Sequence, residues 1–247
     1  MKTALAWAWS AWAWSVLAVL LPPWGLLIMA LRKPALTRPV ARTGARLLLR
    51  LCGMPSSVRG LERLPGAPHI LLVNHSSFLD GIALAALLPA QPGYAFVVRQ
   101  QFAVQRLLCP RLRALGTVVL APAGAGSHAG NALRIAHALR HGGNLLVFPE
   151  AGFVPEPGLR RFHSGAFVAA AKAGVPLVTA GLRGPRLALR PRRWFLRRTT
   201  ITLDIGPVLQ PQTADIGTLM YSARRSMLAL SGEPDAADLR RQPLAQA

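Results

Sequence analysis

The feature that most constrains the fold of this chain is a short apolar run that ends in a mostly polar turn. Residues 70–73 read Ile-Leu-Leu-Val, the turn occupies 74–80, and apolar residues resume at 82–88. A wholly apolar run of this length is typical of a strand that is buried on both faces. The sequence therefore predicts a strand, then a turn, then a helix.

The rest of the body repeats this alternation. Strand-like runs cover residues 70–73, 94–98, 117–120, 144–148, 177–182 and 199–205. Helix-like runs cover residues 81–88, 103–114, 130–140 and 164–173. Alternating helices and uniformly apolar strands indicate a sheet that is covered by helices on both faces. The predicted fold class is α/β, and nothing after residue 60 indicates a second domain.

The turn carries a histidine and a carboxylate, His75 and Asp80, with four residues between them. At the end of a strand and the start of a helix, Asp80 lies near enough to hydrogen-bond one ring nitrogen of His75. The other ring nitrogen is then left as a base that activates a hydroxyl group. The alternative is structural: Asp80 or Ser76 only caps the N-terminus of the helix.

The motif Asn74-His75-(four residues)-Asp80 resembles the first sequence block of the glycerolipid acyltransferases. Members of that family acylate lysophosphatidic acid, glycerol phosphate and related lysolipids. Residues 116–120, 145–150 and 174–178 resemble the later blocks of the family in the same order, and 94–98 with Arg99 resemble its next strand and basic residue. The likeness extends from about residue 68 to residue 209.

This resemblance implies a fold, a site and a set of partners. The implied fold is a mixed β-sheet flanked by helices, and the implied reaction moves a fatty acyl chain onto a free hydroxyl of a lysolipid. His75 is implied as the general base, oriented by Asp80. The donor is implied to be acyl-CoA or acyl-carrier protein as a co-substrate, and no cofactor or metal is expected. The substrate-binding candidates are Asn74, Ser77, Arg99, Glu150 and Gly152.

Two departures from the family pattern concern the acceptor. Residues 120–122 read Leu-Ala-Pro, and 148–153 read Phe-Pro-Glu-Ala-Gly-Phe. Both stretches lack an arginine that the family associates with the acceptor's phosphate. Arg160 and Arg161 follow soon after and would serve a phosphate bidentately, or else belong to a solvated basic loop. We take 1-acylglycerol-3-phosphate as the leading acceptor and a phosphate-free lysolipid of the lyso-ornithine type as the alternative.

Residues 1–33 are predicted to be a membrane anchor. Residues 4–31 carry no charge, and the part before the prolines is long enough to cross most of a bilayer core of roughly 30 Å. Pro22 and Pro23 predict a break or kink, so a tilted single span and a re-entrant hairpin both remain open. The tryptophans of this run suit a membrane interface. A secretory signal peptide is disfavoured because no cleavage site follows.

Residues 34–60 are predicted to form a basic amphipathic segment on the membrane surface. Arg38, Arg42, Arg46 and Arg50 recur every four residues, which places them along one face of a helix. That face would hold anionic lipid headgroups. The alternative is a helix that packs on the body and leaves its arginines in water. Positive charge after the apolar run predicts a body on the cytoplasmic face of the cell (inner) membrane.

The overall charge predicts anionic partners. Twenty-nine Lys and Arg residues oppose nine Asp and Glu residues, which gives a net charge of +20. Such a surface attracts anionic membrane lipids and an anionic acyl donor. Nucleic acid is not expected, because few aromatic residues of the body alternate with basic ones. A hypothesis of another class is a non-catalytic, membrane-attached protein that binds anionic lipid. The acyltransferase domain is predicted at 61–231, followed by a loosely ordered tail at 232–247.

Overall fold

A mixed sheet organises the body of the molecule. The structure, a computed structural model, describes residues 2–66, 68–99, 114–121, 127–140, 143–211 and 215–237. The strands found there are β1 (Ser56–Arg59), β2 (Ile70–Val73), β3 (Tyr94–Arg99), β4 (Val118–Leu120), β5 (Asn144–Val147), β6 (Leu177–Arg183) and β7 (Ile201–Leu209). They form one sheet in the order β1-β7-β6-β2-β5-β3-β4.

Most neighbouring strands are parallel, and one edge of the sheet runs the other way. The run from β6 through β2, β5 and β3 to β4 is parallel throughout. β7 is antiparallel to β6 and parallel to β1. β2 lies in the middle of the sheet, and its four residues are all buried. The predicted α/β class, with a mixed sheet flanked by helices, is confirmed.

Helices cover both faces of this sheet. They are α1 (Lys2–Leu31), α2 (Pro34–Leu51), α3 (Asp80–Leu87), α4 (Ser127–Arg140), α5 (Gly165–Ala173), α6 (Pro185–Ala188) and α7 (Ile216–Ser231), with a short 3-10 helix at Leu61–Arg63. Successive strand residues point to opposite faces. Leu71 and Val73 therefore join a core with α1, α2 and α3, whereas Ile70 and Leu72 join a core with α4, α5 and α7.

Strand β1 and helices α6 and α7 were not predicted from the sequence. Residues 56–59 pair with β7, so the boundary predicted at residue 60 was wrong and falls inside the body. An edge strand with mostly exposed side chains lacks the apolar pattern of a buried strand. Helix α7 does carry an apolar stripe at every fourth residue, Leu219, Ala223 and Met227. The predicted helix 103–114 lies, up to residue 113, outside the described residues.

Helices α1 and α2 form an antiparallel hairpin. The indole N–H of Trp9 donates to the carbonyl of Cys52, just after α2 (3.2 Å), and that of Trp24 donates to Val40, in the first half of α2 (2.7 Å). These two indole groups, which the sequence predicted to lie at a membrane interface, thus bind backbone carbonyls. Amphipathic Trp side chains need a polar partner for the N–H, and here α2 and the residue after it supply one.

The structure does not show the predicted break at Pro22 and Pro23. Helix α1 is one helix from Lys2 to Leu31. Packing against α2 supports it beyond the prolines. A Cβ at Gly44 would lie 2.2 Å from Nε1 of Trp24, so the glycine admits the indole against α2. This contact and the indole hydrogen bond offset the amide donors that the prolines lack.

The arginines of α2 divide between the body and the solvent. Nη1 of Arg38 donates to the carbonyl of Pro92, and Nε of Arg46 donates to Ala86 near the end of α3, both at 2.9 Å. Arg50 is exposed. Helix α2 therefore packs on the body, as the alternative expected, but two of its arginines bond to the body instead of water.

The first residues of the predicted loose tail are held in place. The carboxylate of Glu233 accepts the backbone N–H of Gly158 and Nε of Arg186, each at 2.7 Å. Residues 232–237 are therefore ordered, contrary to the prediction, because the tail's acidic side chain finds donors on the body. Residues 238–247 lie outside the described part of the chain.

Replacing Gly44 by Ala should weaken the α1–α2 hairpin. The added Cβ would displace the Trp24 indole and break its bond to Val40. We expect the free energy of unfolding to fall by about 1–3 kcal/mol, measured by denaturant titration of the detergent-solubilised protein. Gly130→Ala is the matched control, since Gly130 is also helical and a Cβ there meets nothing within 4 Å. Equal destabilisation by both substitutions would contradict the packing.

Candidate active site

A histidine and a carboxylate meet in the turn between β2 and α3. Nδ1 of His75 lies 2.7 Å from Oδ2 of Asp80. A carboxylate oxygen accepts hydrogen bonds, so Nδ1 carries the proton and Nε2 is left as an acceptor. The His75 side chain is 20% exposed and that of Asp80 is fully buried. The structure thus brings together the two side chains that the sequence paired, and their catalytic roles stay a prediction.

The carboxylate of Asp80 also shapes the turn. Its Oδ2 accepts the backbone N–H groups of Ser76 (2.6 Å) and Ser77 (3.0 Å). The residue before α3 is Leu79, and no side chain caps the helix there. The capping alternative for Asp80 and Ser76 is therefore wrong. Three donors converge on this one buried oxygen, which fixes the orientation of the imidazole.

Two phenylalanines pack against His75, and a third contacts one of them. Phe148 stacks on the imidazole, with 4.1 Å between ring centroids and 15° between ring planes. Phe153 packs with its edge against the imidazole at 4.4 Å and contacts Phe78 at 4.9 Å. Phe78 is 62% exposed, so the aromatic group reaches solvent. Apolar surroundings lower the local dielectric and strengthen the hydrogen bond between His75 and Asp80.

Glu150 connects the turn that carries His75, called the histidine turn below, to the segment that follows β5. Its Oε1 accepts the backbone N–H of His75 (2.9 Å), and its Oε2 accepts that of Arg160 (2.7 Å). Burial raises the pKa of Glu150 to about 7, although these two hydrogen bonds oppose the rise. The resemblance implied an acceptor-site residue. The structure gives both oxygens to the backbone, so Glu150 positions the turn, and contact with the acceptor stays a prediction.

Asn74 and Ser77 also bond within the protein. The Asn74 amide exchanges hydrogen bonds of 3.0 and 2.7 Å with the backbone of Leu182 in β6. The Ser77 hydroxyl donates to the carbonyl of Leu189 (2.9 Å). Both side chains are fully buried. They hold the turn against β6 and the segment after α6, and substrate contact for either residue stays a prediction.

The remaining candidates differ in their relation to the turn. Gly152 has φ 153°, a conformation that favours glycine, which gives a backbone reason for its place after Glu150. Arg160 joins the site through its backbone N–H. Arg161 lines a cavity of about 350 Å³ against α7. Arg99 ends β3, and its side chain lies outside the described residues.

Sequence reasoning did not single out Phe78 and Phe153 as site residues. The signal for Phe153 was present, because it stands where the family's third block has an arginine. No signal marked Phe78, since only the folded turn brings it against Phe153. Among the described residues, no group of three His, Cys, Asp or Glu side chains is placed to hold a metal ion.

Comparison with known proteins defines the class of this protein. The acyltransferase family model matches residues 56–183, just over half of the chain, and the chain therefore belongs to the acyltransferase family. Over 131 residues it is 30% identical to a chloroplastic 1-acyl-sn-glycerol-3-phosphate acyltransferase of Brassica napus. Over 129 residues it is 32% identical to the lyso-ornithine lipid O-acyltransferase of Pseudomonas aeruginosa.

These sequence matches are partial. Each covers 52% of this chain, and they span 37% of the Brassica protein and 48% of the Pseudomonas protein. The crystal structure of the 1-acyl-sn-glycerophosphate acyltransferase from Thermotoga maritima superposes with a TM-score of 0.74 at 17% identity. That superposition covers 91% of this chain and 94% of the other, so the two proteins share a fold.

The raised pKa of Glu150 predicts a pH dependence of stability. The folded protein keeps a proton up to about pH 7 that the unfolded chain releases near 4.5, so this carboxyl's contribution to stability is full below pH 4.5 and is lost by pH 7. Glu150→Gln cannot titrate. The stability advantage of the wild type over this variant should therefore shrink by roughly 2–3 kcal/mol between pH 4.5 and 7.

Denaturant titrations across this pH range measure the effect. Glu156→Gln is the matched control, because Glu156 is an exposed glutamate in the same segment. A constant difference between the wild type and Glu150→Gln would contradict the assignment.

Proposed function

We propose that this protein is a membrane-associated O-acyltransferase. It moves a fatty acyl chain from acyl-CoA or acyl-carrier protein to the free hydroxyl of a lysolipid, with 1-acylglycerol-3-phosphate as the leading acceptor and phosphatidic acid as the product. Membership of the acyltransferase family supports the reaction class. The observation that carries the proposal is the pairing of His75 and Asp80, which leaves Nε2 as a proton acceptor beside an exposed aromatic group.

The reaction needs only one protein base. Nε2 of His75 takes the proton of the acceptor hydroxyl while that oxygen attacks the carbonyl carbon of the donor thioester. A C–O bond forms, the C–S bond breaks, and the imidazolium returns the proton to the leaving thiolate. Asp80 stabilises the transient positive charge and keeps the ring in the required orientation. No covalent acyl-enzyme is required.

The membrane provides the lipid acceptor. The helix Thr3–Leu31 is long and apolar enough to cross a bilayer by length and composition. Much of its surface is exposed and apolar, including Leu5, Trp12, Val19 and Leu26. We propose that α1 attaches the protein to the inner membrane and leaves the body on the cytoplasmic face, where acyl-CoA and acyl-carrier protein are found.

The identity of the acceptor depends on how its phosphate would be bound. In the leading proposal, Arg160 or Arg161 supplies the cation. The alternative acceptor is a phosphate-free lysolipid of the lyso-ornithine type. Two observations favour that alternative: Phe153 contacts the imidazole at 4.4 Å where the family has an arginine, and the Pseudomonas relative carries that activity in its name.

Replacing His75 by Ala should abolish turnover, because the base is lost, and should also lower stability, because the buried Asp80 loses one of its donors. Asp80→Asn should lower kcat by roughly 10²–10⁴. An amide cannot accept from Nδ1 of His75 and from two backbone N–H groups as the carboxylate does, so the tautomer with the proton on Nδ1 is no longer held. Transfer from labelled acyl-CoA and acyl-carrier protein to a panel of lysolipids measures both variants. A His137→Ala variant is the control, since His137 lies in α4, apart from the site.

Two results would contradict the enzyme proposal. One is full activity in His75→Ala. The other is the absence of His75-dependent product with every donor and acceptor, together with retained binding of anionic vesicles, which would favour the non-catalytic lipid-binding protein.

Phe153→Arg should change the preference among acceptors. An arginine in contact with the site would favour a phosphate-bearing lysolipid over a phosphate-free one. A charge-assisted hydrogen bond contributes about 1.5–3 kcal/mol. The ratio of kcat/KM for the phosphate-bearing acceptor to kcat/KM for the phosphate-free one should therefore rise roughly tenfold or more. Phe153→Leu is the control, because it removes the aromatic ring without adding charge. An unchanged ratio in Phe153→Arg would show that residue 153 does not face the acceptor headgroup.

A further inference from the structure

Residues 190–198 concentrate positive charge in a way that neither the active site nor the α2 helix explains. They read Arg-Pro-Arg-Arg-Trp-Phe-Leu-Arg-Arg, and no Asp or Glu occurs between Glu156 and Asp204. We call residues 190–198 the arginine-rich segment. It connects α6 to β7.

The charged side chains of this segment lie at the surface, and Nε of Arg198 donates to the carbonyl of Gly53 (2.7 Å). All five of its arginines are exposed, and none forms an ion pair with a carboxylate of the described residues. Trp194 is 80% exposed, the most exposed of the large apolar side chains described. Tryptophan and arginine are enriched at binding interfaces, so an exposed indole among guanidinium groups that lack carboxylate partners is typical of a surface that has a partner.

The arginine-rich segment is nevertheless fixed to the body. The N–H of Leu196 donates to the hydroxyl of Ser10 (3.1 Å), and the indole N–H of Trp14 donates to the carbonyl of Trp194 (2.7 Å). Leu196 is buried in the core that α1 shares with the sheet. The exposed groups are therefore presented by a backbone that is bound to α1.

This attachment places the segment beside the apolar surface of α1. Trp7 of α1 packs edge-on against Phe195 at 4.7 Å, and Trp7 is itself 66% exposed. An apolar helix with exposed tryptophans next to a cluster of arginines matches the two layers of a bilayer surface, acyl chains below and anionic headgroups above.

The segment is also joined to the active site. Leu189, the residue before it, accepts the hydroxyl hydrogen of Ser77, two residues from His75. A lipid surface bound by the arginine-rich segment would therefore lie close to the histidine turn. By contrast, Arg38 and Arg46 of α2, which the sequence predicted to contact lipid, donate to carbonyls of the body.

We infer that the arginine-rich segment is a docking surface for the headgroups of an anionic phospholipid bilayer. Its guanidinium groups bind lipid phosphates, and Trp194 inserts at the level of the headgroups. The bilayer is favoured over an acidic protein because the segment continues directly into the exposed apolar face of α1. This binding requires no acyl transfer, so an assay without donor or acceptor tests it independently of the proposed function.

The test measures the depth of residue 194 in vesicles. The full chain with Trp194→Cys and Cys109→Ser is labelled with an environment-sensitive fluorophore, while buried Cys52 stays unlabelled. It is reconstituted into phosphatidylcholine vesicles with or without phosphatidylglycerol, and the lipids carry nitroxide quenchers at the headgroup. We expect strong quenching with phosphatidylglycerol. A label at Tyr221→Cys, on exposed α7 across the sheet, should show little.

Charge variants then distinguish the effect of this segment from the effect of the protein's net charge. The test variant changes four arginines of the segment to Gln: Arg190, Arg192, Arg193 and Arg197. The control variant removes four exposed charges from the helices on the other face of the sheet: Arg134, Arg140, Lys172 and Arg225. Because each charge near an anionic surface adds to the attraction, the test variant should need at least about tenfold more phosphatidylglycerol to reach half-maximal quenching. The control should match the wild type.

Three outcomes would overturn the inference. The first is an unquenched label at residue 194 when a label at Val19→Cys in α1 is quenched. The second is an equal loss of quenching in the test and control variants, which would make the effect one of net charge. The third is a shift of the 194 label by soluble acyl-carrier protein but not by phosphatidylglycerol, which would assign the segment to an acidic protein.

Discussion

The site depends on one buried carboxylate. Asp80 has no exposed surface, and a buried charge is tolerated only when donors surround it. The imidazole of His75 and the amides of Ser76 and Ser77 supply those donors. The backbone of the turn must therefore wrap around Asp80 for the chain to fold. The same backbone conformation directs Nε2 of His75 outward. Folding and the proposed chemistry use the same hydrogen bonds.

The neighbouring segments are tied to this turn by polar side chains that lie away from solvent. Glu150 links the backbone of His75 to that of Arg160, and Asn74 bonds to β6. From the sequence, these side chains are expected to bind a ligand, because polar residues after a strand commonly face a cleft. Here their hydrogen-bonding groups are occupied by backbone, so they position the base. The aromatic rings of Phe148 and Phe153 are what lie against it.

Sequence patterns predicted the centre of the fold better than its periphery. The strand Ile70–Val73 was placed at its observed bounds, because burial on both faces requires four consecutive apolar residues. The edge strand Ser56–Arg59 has no such requirement, since water covers most of its side chains. The prolines at 22 and 23 predicted a break because local hydrogen bonds are lost there. The contact of Trp24 with Gly44, 20 residues away, is not visible in a local pattern.

The α/β class, the pairing of His75 with Asp80 and the basic, apolar character of the surface could all be predicted from the amino-acid sequence, because each follows from residues that are close in the chain or from composition. The polar groups that remain available could be identified only in the folded molecule. The tertiary structure placed Glu150 on the backbone of His75, and it joined the arginine-rich segment to α1 through Ser10. Such contacts join residues that are 75 and 186 positions apart, and the free energy that selects them comes from burial in the assembled core, which no short stretch of sequence encodes.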